Sequence, residues 1–308
     1  MHLTYSNDKF ILDVIENKKS TDDAYQEQNL SFYSISLIKK GSIYDINNGN
    51  KVEYWYDTEV KRAEYHLVSG DLNGPFTNYY EDGQVYMKGN YSKNKRDGRI
   101  EEYNEKGILS TSYFMKNDLK NGLTTTYEVN KMMSTAEYVE SMKNGAYCRY
   151  LYNEKTGQLL GKMFGQYEND LKEGVWTVNL IKEGKESVVT KTTFENDLKN
   201  GPLQDVKGDS LILGKFKNNL LDGSYHVFVD LKKILMGGFI STDTNDLIKI
   251  YDGYFENNKK TGLWKTNDIT QTLRSEGNYQ NSKKNGKWKY FLTKYLDNDK
   301  KELPYSGK

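Results

Sequence analysis

Glycine recurs along this chain at a spacing that excludes long helices and imposes a repeat. Gly74, Gly98, Gly122, Gly145, Gly174, Gly201, Gly223, Gly262 and Gly286 lie 24, 24, 23, 29, 27, 22, 39 and 24 residues apart. Self-similarity at such a period marks a repeat architecture, in which each unit buries its apolar surface against its neighbours. Other positions hold the same register. Two residues after the glycine stands a large side chain in all but one copy: Phe76, Ile100, Tyr147, Trp176, Leu203, Tyr225, Trp264 and Trp288, with Thr124 the exception. Seven before it stand Leu67, Tyr91, Met115, Tyr138, Tyr167, Phe194, Phe216, Phe255 and Tyr279. Nine before it a second glycine is frequent, as at Gly89, Gly165, Gly214, Gly253 and Gly277. Five after it several copies carry a ring, among them Tyr79, Tyr103, Tyr127, Tyr150, Phe228 and Phe291.

The chemistry of one copy is that of two antiparallel strands. Asn-Gly and Asp-Gly pairs such as Asn73-Gly74, Asp97-Gly98 and Asn285-Gly286 accept positive φ and are expected to close tight hairpins. A second turn follows at Glu81-Asp82-Gly83 or Glu105-Lys106-Gly107. The returning strand ends in Gly-x-Tyr or Gly-x-Phe. The glycine before that ring is expected to leave bare backbone for an aromatic side chain of the next strand. No segment sustains the i, i+3, i+4, i+7 spacing of an amphipathic helix. At about 4.8 Å per strand each copy advances about 10 Å, and nine copies make a ribbon on the order of 90 Å long. The predicted fold is all-β: tandem antiparallel hairpins in an elongated, twisted single-layer sheet or solenoid.

These residues resemble MORN repeats, in a bacterial variant that alternates Gly-x-Trp with Gly-x-Tyr. Gly262-Leu-Trp264, Gly277-Asn-Tyr279, Lys284-Asn-Gly286, Gly286-Lys-Trp288 and Gly89-Asn-Tyr91 with Asp97-Gly98 carry the likeness, which covers roughly residues 50–300. The resemblance implies a non-enzymatic scaffold linked to protein or phospholipid binding, some bacterial relatives being antitoxin-like, and it brings no catalytic residues and no cofactor. Residues 49–296 form the predicted array. Residues 1–48 lack the repeat and are expected to cap the sheet or dock a partner; residues 297–308 form a charged tail. A strand is expected at Ser31–Ile38 with Gly41–Tyr44 as its hairpin partner. The long interval between Gly223 and Gly262 holds an insertion around residues 240–250.

Composition narrows the function. Lys and Arg number 44 against 43 Asp and Glu, so no net field draws the chain to nucleic acid. Hydrophobic residues are only 36%, yet there are 26 Tyr, which suits a thin sheet with half-buried rings. Cys148 is the single cysteine and excludes a disulfide framework. Residues 1–20 carry no secretory signal pattern and no run is long enough to span a bilayer, so a cytoplasmic or virion location is expected. His2, His66 and His226 are dispersed and read as ordinary strand residues. Asp243-Thr-Asn-Asp-Leu247 fails as a calcium loop because no glycine or closing Glu follows at the required spacing. No catalytic, metal or cofactor site is expected.

Two surfaces remain. Arg96, Lys120, Lys143, Lys172, Lys199, Lys260 and Lys284 stand two residues before their glycines. They are expected to form a ladder along one edge, either a contact for an anionic surface or a solvated row that keeps the edge soluble. Asp118, Asp170 and Asp197, two residues upstream of their lysines, are expected to neutralise them in part. Rings at +2 and +5 have opposite parity and are expected on opposite faces. Trp176, Tyr225, Trp264 and Trp288 are the anchors expected for a partner, or else a ladder that holds the sheet together. The leading expectation is a scaffold for a protein partner. Alternatives are an antitoxin or immunity protein, a structural subunit of a larger particle such as a phage virion, a homo-oligomer, and peripheral attachment to anionic lipid.

Overall fold

In a computed structural model the described residues are 47–56, 58–236 and 238–291, with the backbone of three short strands before them. The expected cap at 1–48 and tail at 297–308 fall largely or wholly outside them. His2–Ser6, Lys9–Asp13 and Ile38–Lys39 form a separate antiparallel sheet in which Phe10 pairs with Ile38. The hairpin expected between residues 31 and 44 otherwise lies beyond the described chain.

The array is all-β, in open, single-layer antiparallel sheet. It divides into two compact units, Met1–Met142 and Lys143–Lys308. In the first, strands run consecutively from Gly49–Tyr54 through Lys61–Val68, Asp71–Tyr79, Val85–Ser92 and Gly98–Tyr103 to Leu109–Lys116, Gly122–Glu128 and Lys131–Val139, each paired with the next. In the second, the same meander runs from Met142–Tyr152 to Lys283–Tyr290.

The tight hairpins are displaced from their predicted place. They close four and five residues before each repeat glycine, at Ser69-Gly70, Lys93-Asn94, Asn117-Asp118, Glu140-Ser141, Asn169-Asp170, Asn196-Asp197, Asn218-Asn219, Asn257-Asn258 and Asn281-Ser282. Both turn residues there have positive φ, for example 49° and 67° at Asn169 and Asp170, the twist that suits a two-residue hairpin. The repeat glycine instead opens a bulge. Gly165 alone faces Gly174, Val175 and Trp176, between the pairs Phe164–Thr177 and Gln166–Glu173. Gly253 and Gly277 face Gly262–Trp264 and Gly286–Trp288 in the same way. Glycine serves here because a bulge also needs positive φ, 67° at Gly174. The predicted second turns are where expected: Tyr80 and Gln84, then Asn104 and Ile108, close them by backbone hydrogen bonds of 2.8 and 2.9 Å.

The bulge throws the +2 ring over the facing glycine, as the sequence leads one to expect. A Cβ added at Gly165, Gly253 or Gly277 would lie 2.5, 2.2 or 2.3 Å from the indole of Trp176, Trp264 or Trp288. Each indole Nε1 then donates to the carbonyl after that glycine: Gln166, Tyr254 and Asn278, at 3.2, 3.1 and 3.2 Å.

A second recurring contact fixes one repeat on the previous one. From Lys93-Asn94 onward the second residue of each hairpin accepts from, and donates to, the backbone of the residue two before the preceding repeat glycine. Asn94 does so with Leu72, Asp118 with Arg96, Ser141 with Lys120, Asp170 with Lys143, Asp197 with Lys172, Asn219 with Lys199, Asn258 with Leu221 and Ser282 with Lys260, at 2.6–3.0 Å. Asp118, Asp170 and Asp197 thus bind the backbone of the base one repeat earlier, in place of the expected neutralisation of the lysine two residues on. In Asp118 the carboxylate also meets the Arg96 guanidinium at 3.3 Å.

The insertion after Gly223 folds as the helix Leu231–Met236 and a 3-10 turn at Thr244–Asp246. Buried Asp230 ties it down, accepting from the backbone N–H of Lys233 and Ser241 at 3.1 and 2.9 Å. Ile240 and Leu247 close a small core with Leu211 and Phe228.

Candidate binding surface

Each sheet face carries rings, in agreement with the parity of +2 and +5. In the first unit the +5 rings Tyr79 and Tyr103 lie among ion pairs, whereas Phe228 is packed in the small core of the insertion. Tyr79 donates to Glu64, and Tyr103 donates to Glu101 at 2.7 Å, beside Lys88 and Arg99 at 3.0 and 2.8 Å from that carboxylate. The tyrosine hydroxyl first, then Lys88 and Arg99, hold the Glu101 carboxyl below its usual range.

The other face, here called the ring face, stacks the +2 and −7 side chains. In the second unit Tyr147, Tyr167, Trp176 and Phe194 follow one another at centroid separations of 5.1–6.2 Å. Tyr225, Phe255, Trp264, Tyr279, Trp288 and Tyr290 form a second column at 5.0–6.4 Å. Most such pairs are edge-to-face, the favoured arrangement. Trp176 and Trp264 are only 4% and 3% exposed, so they are core. Tyr225 and Trp288 are half-buried.

The basic ladder belongs to this ring face. The base at −2 pairs directly with the residue at −7, as in Tyr167–Lys172 and Tyr279–Lys284. Its ammonium then lies over rings. Lys172 is 4.7 Å from the Trp176 centroid and 5.1 Å from Phe194; Lys260 is 4.3 Å from Trp264 and 5.3 Å from Tyr279; Lys284 is 4.5 Å from Trp288 and 5.2 Å from Tyr290. Lys120 lies over Tyr113 and Tyr138, Lys143 over Tyr167 and Lys199 over Phe216. Arg96 is held by Asp118. These bases are parts of the ring column and not the projecting edge ladder that their spacing suggested.

The first unit departs from this scheme at its start. Nine residues before Gly74 stands Tyr65 in place of glycine, and it pairs with Phe76. Ring meets ring instead of bare backbone, and the two border a cavity of about 1040 Å³ on the ring face. Leu67, Leu72 and Tyr91 also line it, Tyr91 being 4.6 Å from Phe76. Trp55, Asn78, Tyr80 and Tyr86 are among its other walls, Tyr80 and Tyr86 meeting edge-to-face at 5.1 Å. Tyr86 is the extra residue of a bulge opposite Asn78 and Tyr79. At one end Arg62 pairs with Glu53, whose other oxygen accepts from the Tyr65 hydroxyl at 3.0 Å. Burial, then the Glu53 charge, pushes the Tyr65 pKa up to about 12, so this hydroxyl stays a donor. Glu81, Asp82 and Glu105 line the other end, on the two second turns. The sequence signal for this site was Tyr65 at −9 together with Leu72 at −2, since Tyr113, Ala136 and Thr192 also replace the −9 glycine but in repeats that keep a lysine at −2.

The remaining candidates are structural. His66 Nδ1 lies 2.7 Å from the Asn50 side chain, and His226 lies beside Asp252 at 2.6 Å. Burial pushes the Cys148 thiol above its ordinary value. Asp243 caps the 3-10 turn through the Asn245 N–H at 3.0 Å. Among the described residues no three His, Cys, Asp or Glu side chains gather as a metal site, and no helix is long and apolar enough to cross a membrane. Comparison of the chain with protein-family models and with curated proteins gives no match.

Proposed function

We propose that this chain is a non-enzymatic repeat scaffold that holds a protein partner on the ring face of its first unit. The cavity between Tyr65, Phe76, Tyr80, Tyr86 and Tyr91 carries this reading. Elsewhere on that face Trp176, Trp264 and Trp288 cover facing glycines and are covered in turn by Lys172, Lys260 and Lys284. At the cavity, rings stand around open space large enough for several side chains. Tyrosine-rich concavities of this kind suit recognition, because a ring offers large contact area with little conformational freedom to lose. The likeness to MORN repeats points the same way. An antitoxin, an oligomer or a particle subunit would each be a form of this binding, distinguished by the partner. The half-exposed Tyr225 and Trp288 are secondary anchors.

The test is affinity capture from native lysate with the tagged full-length chain and with a Tyr80→Ala, Tyr86→Ala double variant, read by mass spectrometry. A stoichiometric protein held by the first and lost by the second supports the reading. A partner held equally by both moves the site elsewhere. Light scattering of the pure protein reads the oligomeric state.

A further inference from the structure

We infer that the occupant of the first-unit cavity is a basic segment of the partner protein, with a lysine or arginine side chain seated against Tyr91 beside the buried Phe76. The inference rests on the cavity being the partner site and adds the chemistry of what enters it.

Lys172 sits between the +2 ring of its own repeat, Trp176, and the −7 ring of the next, Phe194. Lys260 sits likewise between Trp264 and Tyr279. In the repeat of Gly74 the corresponding rings are Phe76 and Tyr91, and the residue two before the glycine is Leu72. Leucine replaces the base at Leu72 and Leu221, and of these Leu72 borders the cavity. Of that ring pair Phe76 is only 3% exposed, so the surface left to an ammonium is that of the half-buried Tyr91, and the chain supplies no ammonium from position 72. A cation over an aromatic face is attracted by the ring quadrupole, most strongly where water is displaced.

Charge points the same way. Among the lining side chains Arg62 is a cation already paired with Glu53, so that end is close to neutral. Glu81, Asp82 and Glu105 at the other end form no ion pair among the described residues. Asp82 accepts from the Gln84 backbone at 2.9 Å and its amide at 3.2 Å, bonds that leave its charge in place. An anionic ligand would meet three carboxylates, whereas a basic segment finds rings inside and carboxylates at the mouth. The volume of about 1040 Å³ exceeds one side chain and suits a short stretch of extended peptide.

The experiment pans a phage-displayed library of random dodecapeptides against the full-length chain. It then measures the enriched peptides by fluorescence polarisation. Enriched sequences should carry Lys or Arg beside apolar residues. Replacing those bases by norleucine should weaken binding about tenfold or more. A Glu81→Gln, Asp82→Asn, Glu105→Gln variant should weaken it similarly and flatten its salt dependence. Leu72→Lys, which restores in cis the base that other repeats have, should block the peptide while circular dichroism stays that of the parent. Enrichment of uncharged or acidic sequences, no enrichment, or basic peptides bound equally by Leu72→Lys overturns the inference. Loss of lysate capture in the Tyr80→Ala, Tyr86→Ala variant with no preference for bases would leave the scaffold reading standing and this one refuted. Unchanged capture in that variant would refute the cavity itself.

Discussion

Asp170 is bound twice to Lys143, one repeat earlier: its carboxylate accepts the Lys143 N–H at 2.8 Å, and its own N–H donates to the Lys143 carbonyl at 2.9 Å. The same residue holds the hairpin, with φ at 67°. Turn and docking contact are therefore one side chain's work. Asp170→Ala loses the acceptor and strains the turn, and should cost roughly 1–2 kcal/mol. Asp170→Asn keeps both and should cost far less, since Asn219 and Asn258 serve in other repeats. Urea midpoints rank the two variants. Hydrogen exchange at the Lys143 amide should accelerate in the alanine variant alone.

Gly253→Ala places a methyl 2.2 Å from the Trp264 indole. The ring must leave its seat and its bond to the Tyr254 carbonyl. A destabilisation of about 2–3 kcal/mol is expected, with a red shift of tryptophan emission. Trp264→Ala is costly alone because the ring is buried. The double variant should cost less than the sum, since the clash disappears with the ring. Strict additivity would mean that the glycine is needed for its backbone alone.

Lys172→Met keeps the apolar stem over Trp176 and Phe194 and removes the charge. A loss of about 0.5–1 kcal/mol is expected. Flotation with phosphatidylserine vesicles at physiological salt should show little binding by the parent chain, because its ladder is engaged with its own rings. Strong flotation that falls in the methionine variant would return the ladder to the role of a membrane contact.

Asp268 closes the turn before the strand Leu273–Gln280. It accepts from the Thr270 hydroxyl at 2.6 Å, from the Thr270 and Thr272 backbone at 2.9 and 3.0 Å, and from Arg274. The Thr270 hydroxyl first, then those backbone donors and Arg274, bring its pKa from 3.8 down to about 2. The folded value lies below the unfolded one, so its contribution is complete above about 3.8 and fades as pH falls towards about 2. Asp268→Asn should be less stable at neutral pH and should lose less on acidification over that window. Thermal midpoints between pH 5 and 2 read the difference; parallel curves would exclude the linkage.

The repeat, the two strands per copy, the second turns and the ring over glycine were all legible in the sequence, because each rests on local residue chemistry at a fixed offset. The hairpin was misplaced because two sites in each repeat demand positive φ and Asn-Gly satisfies either. The alternative signal, Asn117-Asp118, Asn169-Asp170 and Asn196-Asp197 at constant distance from the glycine, was present in the same residues. Spacing gives the period of the lysines and not their partner, so the sequence alone points to an edge. Only the cross-strand register, which sets Lys172 against Tyr167, brings them onto the rings. The burial of Trp176 and Trp264 needed the bulge, and the cavity needed the knowledge that Tyr65 occupies a place where a ring would otherwise lie flat.

The clasp between Asp170 and Lys143 has a direction. In every such pair the later residue seats itself on backbone laid down earlier, some twenty to forty residues upstream. A ribosome emits the chain in that same order. Each new hairpin therefore meets its landing place already outside the exit tunnel, and no early strand within a unit must wait for a distant late one. Growth of the nascent chain and growth of the fold can advance together, rung upon rung.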